Sequence, residues 1–178
     1  SEVDETARKL DEDLKRLEEE VRRTSKESED ENRKLNETSK RESDESKRRL
    51  DELRRKNITD KDLREDLKRL EDRHRKYKED LDRELRRLEE KHKEIIKKLR
   101  RSAEELERRM RELARRITDE RVLRKLKDLV EKVKRVIEKL VKELEDNVKK
   151  TKDNARRNKR EIEENARRIR EEIKKLED

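Results

Sequence analysis

The chain has 178 residues, of which 63% are charged, and 60 basic side chains against 52 acidic ones leave a net charge of +8. It contains no Gly, Pro, Cys, Trp or Phe. These absences exclude disulfides, thiolate metal sites, glycine-rich phosphate loops and stacking platforms for bases. Because no apolar run approaches the roughly 18 residues of a membrane span, we expect a soluble protein, cytoplasmic in an expression host, without a membrane partner.

The first predicted helix covers residues 2–57 and has apolar ends and a polar middle. Apolar residues recur in steps of three or four at both ends, which is the pattern of an amphipathic helix. From Ser25 to Ser46 the same positions carry mainly Ser and Asn. Because Ser and Asn are poor helix formers, we expect a tertiary contact to require them there.

The tripeptide Ile-Thr-Asp occurs twice and interrupts the apolar pattern each time. We interpret Thr59 and Thr118 as helix N-caps, with Asp60 and Asp119 favourable at the positive end of the following helix. Two copies of one short connection predict two tight reversals, which make neighbouring helices antiparallel.

The second helix, predicted over residues 60–116, carries the most regular apolar stripe. One position of that stripe recurs every 18 residues, at Leu63, Leu81, Leu99 and Ile117. Eighteen residues in five turns is 3.6 residues per turn, the pitch of a straight helix, whereas a seven-residue repeat imposes a supercoil. Only His74 and His92 place polar groups directly on this stripe.

The third helix, predicted over residues 119–177, repeats the spacing at Leu126, Leu144 and Ile162. Extra apolar residues flank the stripes and are either part of a wide core or a small association patch: Ile96, Leu129, Val136 and Val141. The predicted fold is therefore all-α, a straight up-down-up antiparallel three-helix bundle that forms a single elongated domain over residues 1–178.

Antiparallel packing brings the polar positions of the three helices to common levels. It predicts two equivalent sets one repeat apart, namely Ser28 with His92 and Asn147, and Ser46 with His74 and Asn165. It also pairs Ser43 with Tyr77, Asn32 with Thr151, and Ser39 with Asn158. A neutral imidazole offers one donor and one acceptor, and an unpaired buried polar group costs about 1–3 kcal/mol.

We therefore predict buried hydrogen-bond networks that select one register of the helices. The alternative is that the middle of the first helix is a solvated surface. If both histidines are buried and neutral, stability should fall as the pH drops below their unfolded pKa of about 6.5.

Catalysis and metal binding are weaker interpretations of the same residues. Ser, His and Asn at one level resemble a nucleophile, a base and an orienting group, but regular helices use their amides internally and supply no oxyanion hole. The Glu-x-x-His segments ending at His74 and His92 resemble di-iron ligands, yet both lie on one helix about 27 Å apart. We predict neither an enzyme nor a cofactor.

Basic runs such as Lys97–Arg101 and Lys149–Lys152 could contact phosphates. Acidic residues interleave with most of them, and the only aromatic residue, Tyr77, lies on the core stripe, so we predict no specific nucleic-acid partner. Two alternative functions remain at this point. One is a helical protein-interaction module that uses the weakly apolar middle, and the other is a nonspecific electrostatic nucleic-acid binder.

Taken together, the 18-residue register, the copied Ile-Thr-Asp connections, the dense Lys, Arg and Glu surface and the absence of Gly, Pro and Cys resemble de novo designed, parametrically generated three-helix bundles. The polar centre resembles designs that contain buried hydrogen-bond networks. This resemblance implies a very stable monomer that requires no partner or cofactor and has no evolved biochemical function, so that its role would be a structural scaffold.

Overall fold

The computed structural model describes residues 2–55 and 60–177, without the side chains of 53, 54, 60, 63, 176 and 177. It contains helices α1 (Glu2–Arg55), α2 (Asp60–Arg115) and α3 (Glu120–Glu177). The all-α three-helix fold is confirmed, and residues 56 and 57, which were predicted to belong to the first helix, lie outside the described residues. None of the three helices, over the described residues, has an apolar stretch that could cross a lipid bilayer.

The helices are favoured by charged residues at their ends and by apolar residues on their buried faces. Acidic residues occupy the first turn of α1, including Glu2 and Asp4, and Lys174 and Lys175 occupy the last turn of α3. Both placements complement the helix dipole. The stripe residues of all three helices turn inward, and Leu99, Leu144 and Ile162 have no solvent exposure.

Contacts between helices establish their directions. Residues late in α2 contact residues early in α1, and residues early in α2 contact residues late in α1. Lys98 pairs with Glu20, whereas Arg73 pairs with Glu45. Side-chain hydrogen bonds between α1 and α3 instead join residues at a nearly constant separation of 118 to 122 positions. Helix α2 is therefore antiparallel to α1, and α3 is parallel to α1, as expected for an up-down-up bundle.

The chain divides into two compact units, and each unit contains a segment of every helix. We call Ser1–Ser28 with Leu88–Lys149 the apolar unit, and Glu29–Arg87 with Lys150–Asp178 the polar unit. The prediction of one elongated domain stays a prediction.

The apolar unit has a continuous hydrophobic core. Its buried members come from all three helices: Leu10, Leu14, Val21, Leu99, Met110, Leu126, Val133, Ile137, Leu140, Val141 and Leu144. Three of the flanking residues, Ile96, Leu129 and Val136, are partly buried and pack against this core. These three residues therefore contribute to intramolecular packing.

The polar unit has a much smaller apolar cluster of Leu50, Leu67, Leu70 and Ile169. Most of the buried polar residues of the described chain lie in this unit: Ser39, Ser43, Ser46, His74, Thr151, Asn154, Asn158 and Asn165. The middle of α1 is therefore not simply a solvated surface, because Ser39, Ser43 and Ser46 are almost completely buried.

The connection between α2 and α3 differs by one residue from the prediction. Asp119, not Thr118, caps α3, because its Oδ1 accepts a hydrogen bond from the amide of Arg121 at 3.0 Å. The carbonyl of Asp119 also accepts the first helical bond, from the amide of Leu123 at 3.1 Å. Asp119 directly precedes the first helical residue, Glu120, and from this N-cap position its carboxylate reaches the amide of the second helical residue. Thr59 lies outside the described residues, as does the side chain of Asp60.

Candidate functional site: the buried polar contacts

A three-residue hydrogen-bond chain joins α1 and α3 in the apolar unit. The Asn147 amide donates to Ser25 Oγ at 2.8 Å, and Ser25 Oγ donates to Glu143 Oε1 at 3.1 Å. Both bonds hold the serine in one orientation, since its hydroxyl accepts one bond and donates the other. We call this arrangement the Asn-Ser-Glu relay.

The polar unit contains a second relay with the same chemistry. The Asn165 amide donates to Ser43 Oγ at 3.1 Å, and Ser43 Oγ donates to Glu161 Oε1 at 3.2 Å. Each of these residues lies 18 positions after its counterpart in the first relay. The relay therefore recurs at the 18-residue period of the apolar stripes.

The structure assigns partners to Asn147 and Asn165 that differ from the predicted ones. Both amides bond to serines of α1, and neither bonds to a histidine of α2. The physical reason is their position on α3. They flank the stripe on the side toward α1, so that the short amide side chain reaches the parallel neighbour. The prediction therefore missed Ser25, Glu143 and Glu161.

Further amides continue the α1–α3 contact within the polar unit. Asn32 Nδ2 donates to Thr151 Oγ1 at 3.2 Å, which joins a pair that the sequence placed at one level. Asn154 Nδ2 donates in turn to Asn32 Oδ1 at 3.3 Å. The contact therefore forms a short chain of three polar side chains between the two helices.

One predicted pair is rearranged. Asn158 Nδ2 donates to Asn36 Oδ1 at 3.2 Å instead of contacting Ser39. Ser39 Oγ is buried without a hydrogen-bond partner among the described residues. The prediction missed Asn36 and Asn154, although a signal was available: every Asn donor of α3 contacts the α1 residue 122 positions earlier.

His74 contacts Ser46, as the level matching placed them. Ser46 Oγ lies 3.1 Å from His74 Nε2, and the same hydroxyl donates to the Glu42 carbonyl at 2.9 Å. Because a serine has a single hydroxyl hydrogen, the imidazole must donate from Nε2. His74 Nδ1 is then an acceptor, and it is buried without a partner in the described part of the chain.

His92 adopts the opposite tautomer. Its Nδ1 lies 2.8 Å from the Leu88 carbonyl, which can only accept, so the ring donates from Nδ1. Its Nε2 is buried and has no partner among the residues that the structure describes. Ser28, which was predicted to bond to this ring, is buried but does not satisfy Nε2.

Burial favours the neutral form of both histidines. His74 is 2% exposed and His92 is fully buried. Desolvation lowers the pKa of both rings, since burial disfavours the charged imidazolium. The Glu42 carboxylate opposes this effect on the pKa of His74, and the bond to the Leu88 carbonyl opposes it on the pKa of His92.

Tyr77 is half-buried, and its phenol donates to the backbone carbonyl of Leu35 at 3.2 Å. Burial raises the pKa of Tyr77, because the phenolate loses more hydration than the neutral phenol. The predicted neighbour Ser43 is instead held in the relay of the polar unit. Tyr77 thus anchors α2 to the main chain of α1.

These contacts do not assemble a nucleophile. In the Ser46–His74 pair the ring donates to the serine, and the serine proton is directed at the Glu42 carbonyl. A general base would have to accept that proton. Among the described residues, no group of three His, Asp or Glu side chains is arranged to hold a metal ion.

Most polar contacts of each unit are thus hydrogen bonds between helices, and each relay ends on an exposed glutamate. No protein-family model and no curated protein sequence matches the chain. Among solved structures, the chain is similar to one described as a computationally designed three helix bundle, with 23% sequence identity and a TM-score of 0.41. That similarity covers 98% of this chain and 86% of the other.

Proposed function

We propose that this chain is a designed structural scaffold whose buried polar contacts specify the register and order of its helices. It acts as a monomer and requires no substrate, cofactor or partner. The observation that carries this proposal is the Asn-Ser-Glu relay, which occurs once in each unit at equivalent positions of the repeat.

Register selection follows from the cost of an unpaired amide. A strictly periodic apolar stripe tolerates a shift of one helix by a full repeat, because Leu again faces Leu. The four Asn donors of α3 lie at irregular spacings: Asn147, Asn154, Asn158 and Asn165. If α3 shifted by 18 residues along α1, only one of these four asparagines would have a serine of α1 opposite it. Each amide left without a partner would cost about 1–3 kcal/mol.

Double-mutant cycles test whether the relays stabilise the fold as pairs. Alanine substitutions at Ser43 and Asn165, singly and together, should reveal a coupling energy of about 1 kcal/mol in chemical unfolding. The equivalent cycle for Ser25 and Asn147 should give a similar value. The matched controls exchange partners between the relays, with Ser43 combined with Asn147 and Ser25 combined with Asn165.

These crossed pairs share no hydrogen bond, and their coupling should be close to zero. If the crossed pairs couple as strongly as the bonded ones, the relays do not act as specific pairs and the proposal fails.

Specificity is tested separately from stability. Replacing all four Asn donors of α3 by Leu should produce a chain that remains helical but populates several oligomeric states, because an all-apolar seam no longer distinguishes registers. Analytical ultracentrifugation should show a single monomeric species for the unmodified chain. A uniform monomer in the Leu variant would show that the amides are unnecessary for specification.

A further inference from the structure

A surface groove between α1 and α3 in the polar unit has an unusual charge. The groove has a volume of about 680 Å³, and its charged lining residues are Lys150, Arg156, Arg157, Arg160 and Asp153. The lining of the groove therefore contains four basic side chains and one carboxylate. The floor of the groove is formed by the amides that join the two helices.

Two other grooves in the described part of the chain have balanced charges. A groove of the apolar unit holds four basic side chains and four carboxylates. In that groove Lys98 pairs with Glu20, and Arg109 pairs with Glu105. A groove of the polar unit near Arg73 holds three basic and three acidic side chains. Arg73 contacts both Glu42 and Glu45 there. The excess of positive charge therefore distinguishes the groove near Arg157 from these two grooves.

The cations of this groove also lack partners among the residues that the structure describes. None of Lys150, Arg156, Arg157 and Arg160 forms an ion pair or a side-chain hydrogen bond in the part of the chain that the structure describes. The three arginines are exposed, so their guanidinium groups can turn toward a ligand without breaking an interior contact. Guanidinium groups match phosphate oxygens in geometry and charge.

An amide completes the donor set. Asn36 lines the groove, and its oxygen already accepts a hydrogen bond from Asn158 at 3.2 Å. Its NH2 group has no partner among the described residues and lies on the exposed side of the helix contact. A ligand oxygen could accept this hydrogen bond while guanidinium groups neutralise its charge.

We propose that this groove binds a compact oligophosphate, with Arg157 and Arg160 as the principal contacts and Asn36 as a neutral donor. The groove is short, because Lys150 and Arg160 are separated by about 15 Å of helical rise. A ligand with several adjacent phosphates places its charges within that length. Asp153 weakens binding by repulsion.

Calorimetric titration with inorganic tripolyphosphate at low salt tests the proposal. The variant R157Q/R160Q should bind at least about tenfold more weakly, because two charge-assisted contacts are lost. The matched control, R16Q/R23Q, removes two positive charges from the balanced groove of the apolar unit and should change the affinity less than about twofold. Asp153→Asn should tighten binding about twofold.

The site itself is located by NMR of the side-chain amides. Tripolyphosphate should shift the Asn36 NH2 signals of the unmodified chain, and circular dichroism should show that each variant keeps its helical content. Absence of binding, or equal weakening by R157Q/R160Q and R16Q/R23Q, would overturn the proposal in favour of diffuse attraction by the net charge. Tighter binding of a short thymidine oligonucleotide than of tripolyphosphate would overturn it in favour of a nucleic-acid backbone.

Discussion

The apolar unit and the polar unit use the same helices and the same repeat, yet their interiors are chemically different. The apolar unit buries a continuous cluster of aliphatic side chains and contains few buried polar groups. The polar unit has a smaller aliphatic cluster and buries Ser, Thr, Asn and His side chains beside further aliphatic residues such as Leu81 and Ile162. One backbone pattern therefore accommodates two kinds of core, although Ser39 and His74 each leave a buried polar atom without a partner among the described residues.

The two kinds of core should contribute differently to stability. Burying aliphatic groups stabilises the folded state in proportion to the buried area and requires no particular orientation. A buried hydrogen bond contributes only about 1 kcal/mol net but fixes the positions of both partners. We therefore expect the apolar unit to provide most of the stability and the polar unit to provide most of the specificity.

The test with the largest expected effect compares the stability of Leu99→Ala with that of Leu81→Ala. These leucines occupy equivalent positions one repeat apart, and they are 0% and 2% exposed. Leu99 lies within the aliphatic cluster, so its truncation should destabilise the fold by about 3–5 kcal/mol. Leu81 is buried outside the aliphatic clusters of both units, so its truncation loses fewer aliphatic contacts and should cost about 2 kcal/mol. Urea unfolding measures both, and a larger cost at Leu81 would contradict the comparison.

The second test uses pH. Because the pKa of both histidines is lowered on folding, the unfolded chain binds more protons than the folded one below about pH 6.5. The free energy of unfolding should therefore decrease as the pH falls from about 6.5 through the folded pKa values. Thermal unfolding between pH 7.5 and 5 measures the slope. Replacement of both histidines by Leu should remove most of it, and an unchanged slope would assign the effect to the carboxylates.

The individual histidines sharpen this comparison. His92→Leu removes a buried acceptor without a partner and should stabilise the fold by about 1 kcal/mol. It also breaks the bond of the ring to the Leu88 carbonyl, but that carbonyl still accepts its helical hydrogen bond. His74→Leu also removes an unpartnered acceptor, but it breaks the bond to Ser46 and should have a smaller effect. Equilibrium unfolding at pH 7.5 distinguishes the two, and equal gains would show that the Ser46 bond contributes nothing.

The smallest expected difference concerns two ion pairs on the α1–α2 surface. Arg73 in the polar unit contacts Glu42 and Glu45, and the pKa of Arg73 is raised, first by the hydrogen bond to Glu45. Arg73→Ala should cost about 1 kcal/mol, because Glu42 is largely buried and would lose its partner. Lys98→Ala breaks a contact with Glu20 and should cost less than about 0.5 kcal/mol. Unfolding at high salt should reduce both values.

The sequence predicted the three helices and their directions, because these depend on periodicity alone. It paired Ser46 with His74 and Asn32 with Thr151, which the structure joins by hydrogen bonds. It did not predict which neighbour each amide selects. That choice depends on the side of the stripe from which a short side chain projects, and level matching contains no information on this side.

The cap of α3 illustrates a second limit. Thr and Asp are both favourable N-cap residues, and they are adjacent at Thr118 and Asp119. The choice between them is decided by the position at which the main chain turns into the helix, which sequence pattern fixes only to within a residue or two.

The opposite tautomers of the two histidines give the molecule an internal pair of reporters. The chain contains only these two imidazoles, and each unit contains one. Nitrogen-15 resonances distinguish a protonated ring nitrogen from a bare one, so His74 and His92 should give mirror-image patterns of chemical shift. Loss of one pattern before the other during heating would identify which unit melts first, without the introduction of any label that alters the side chains.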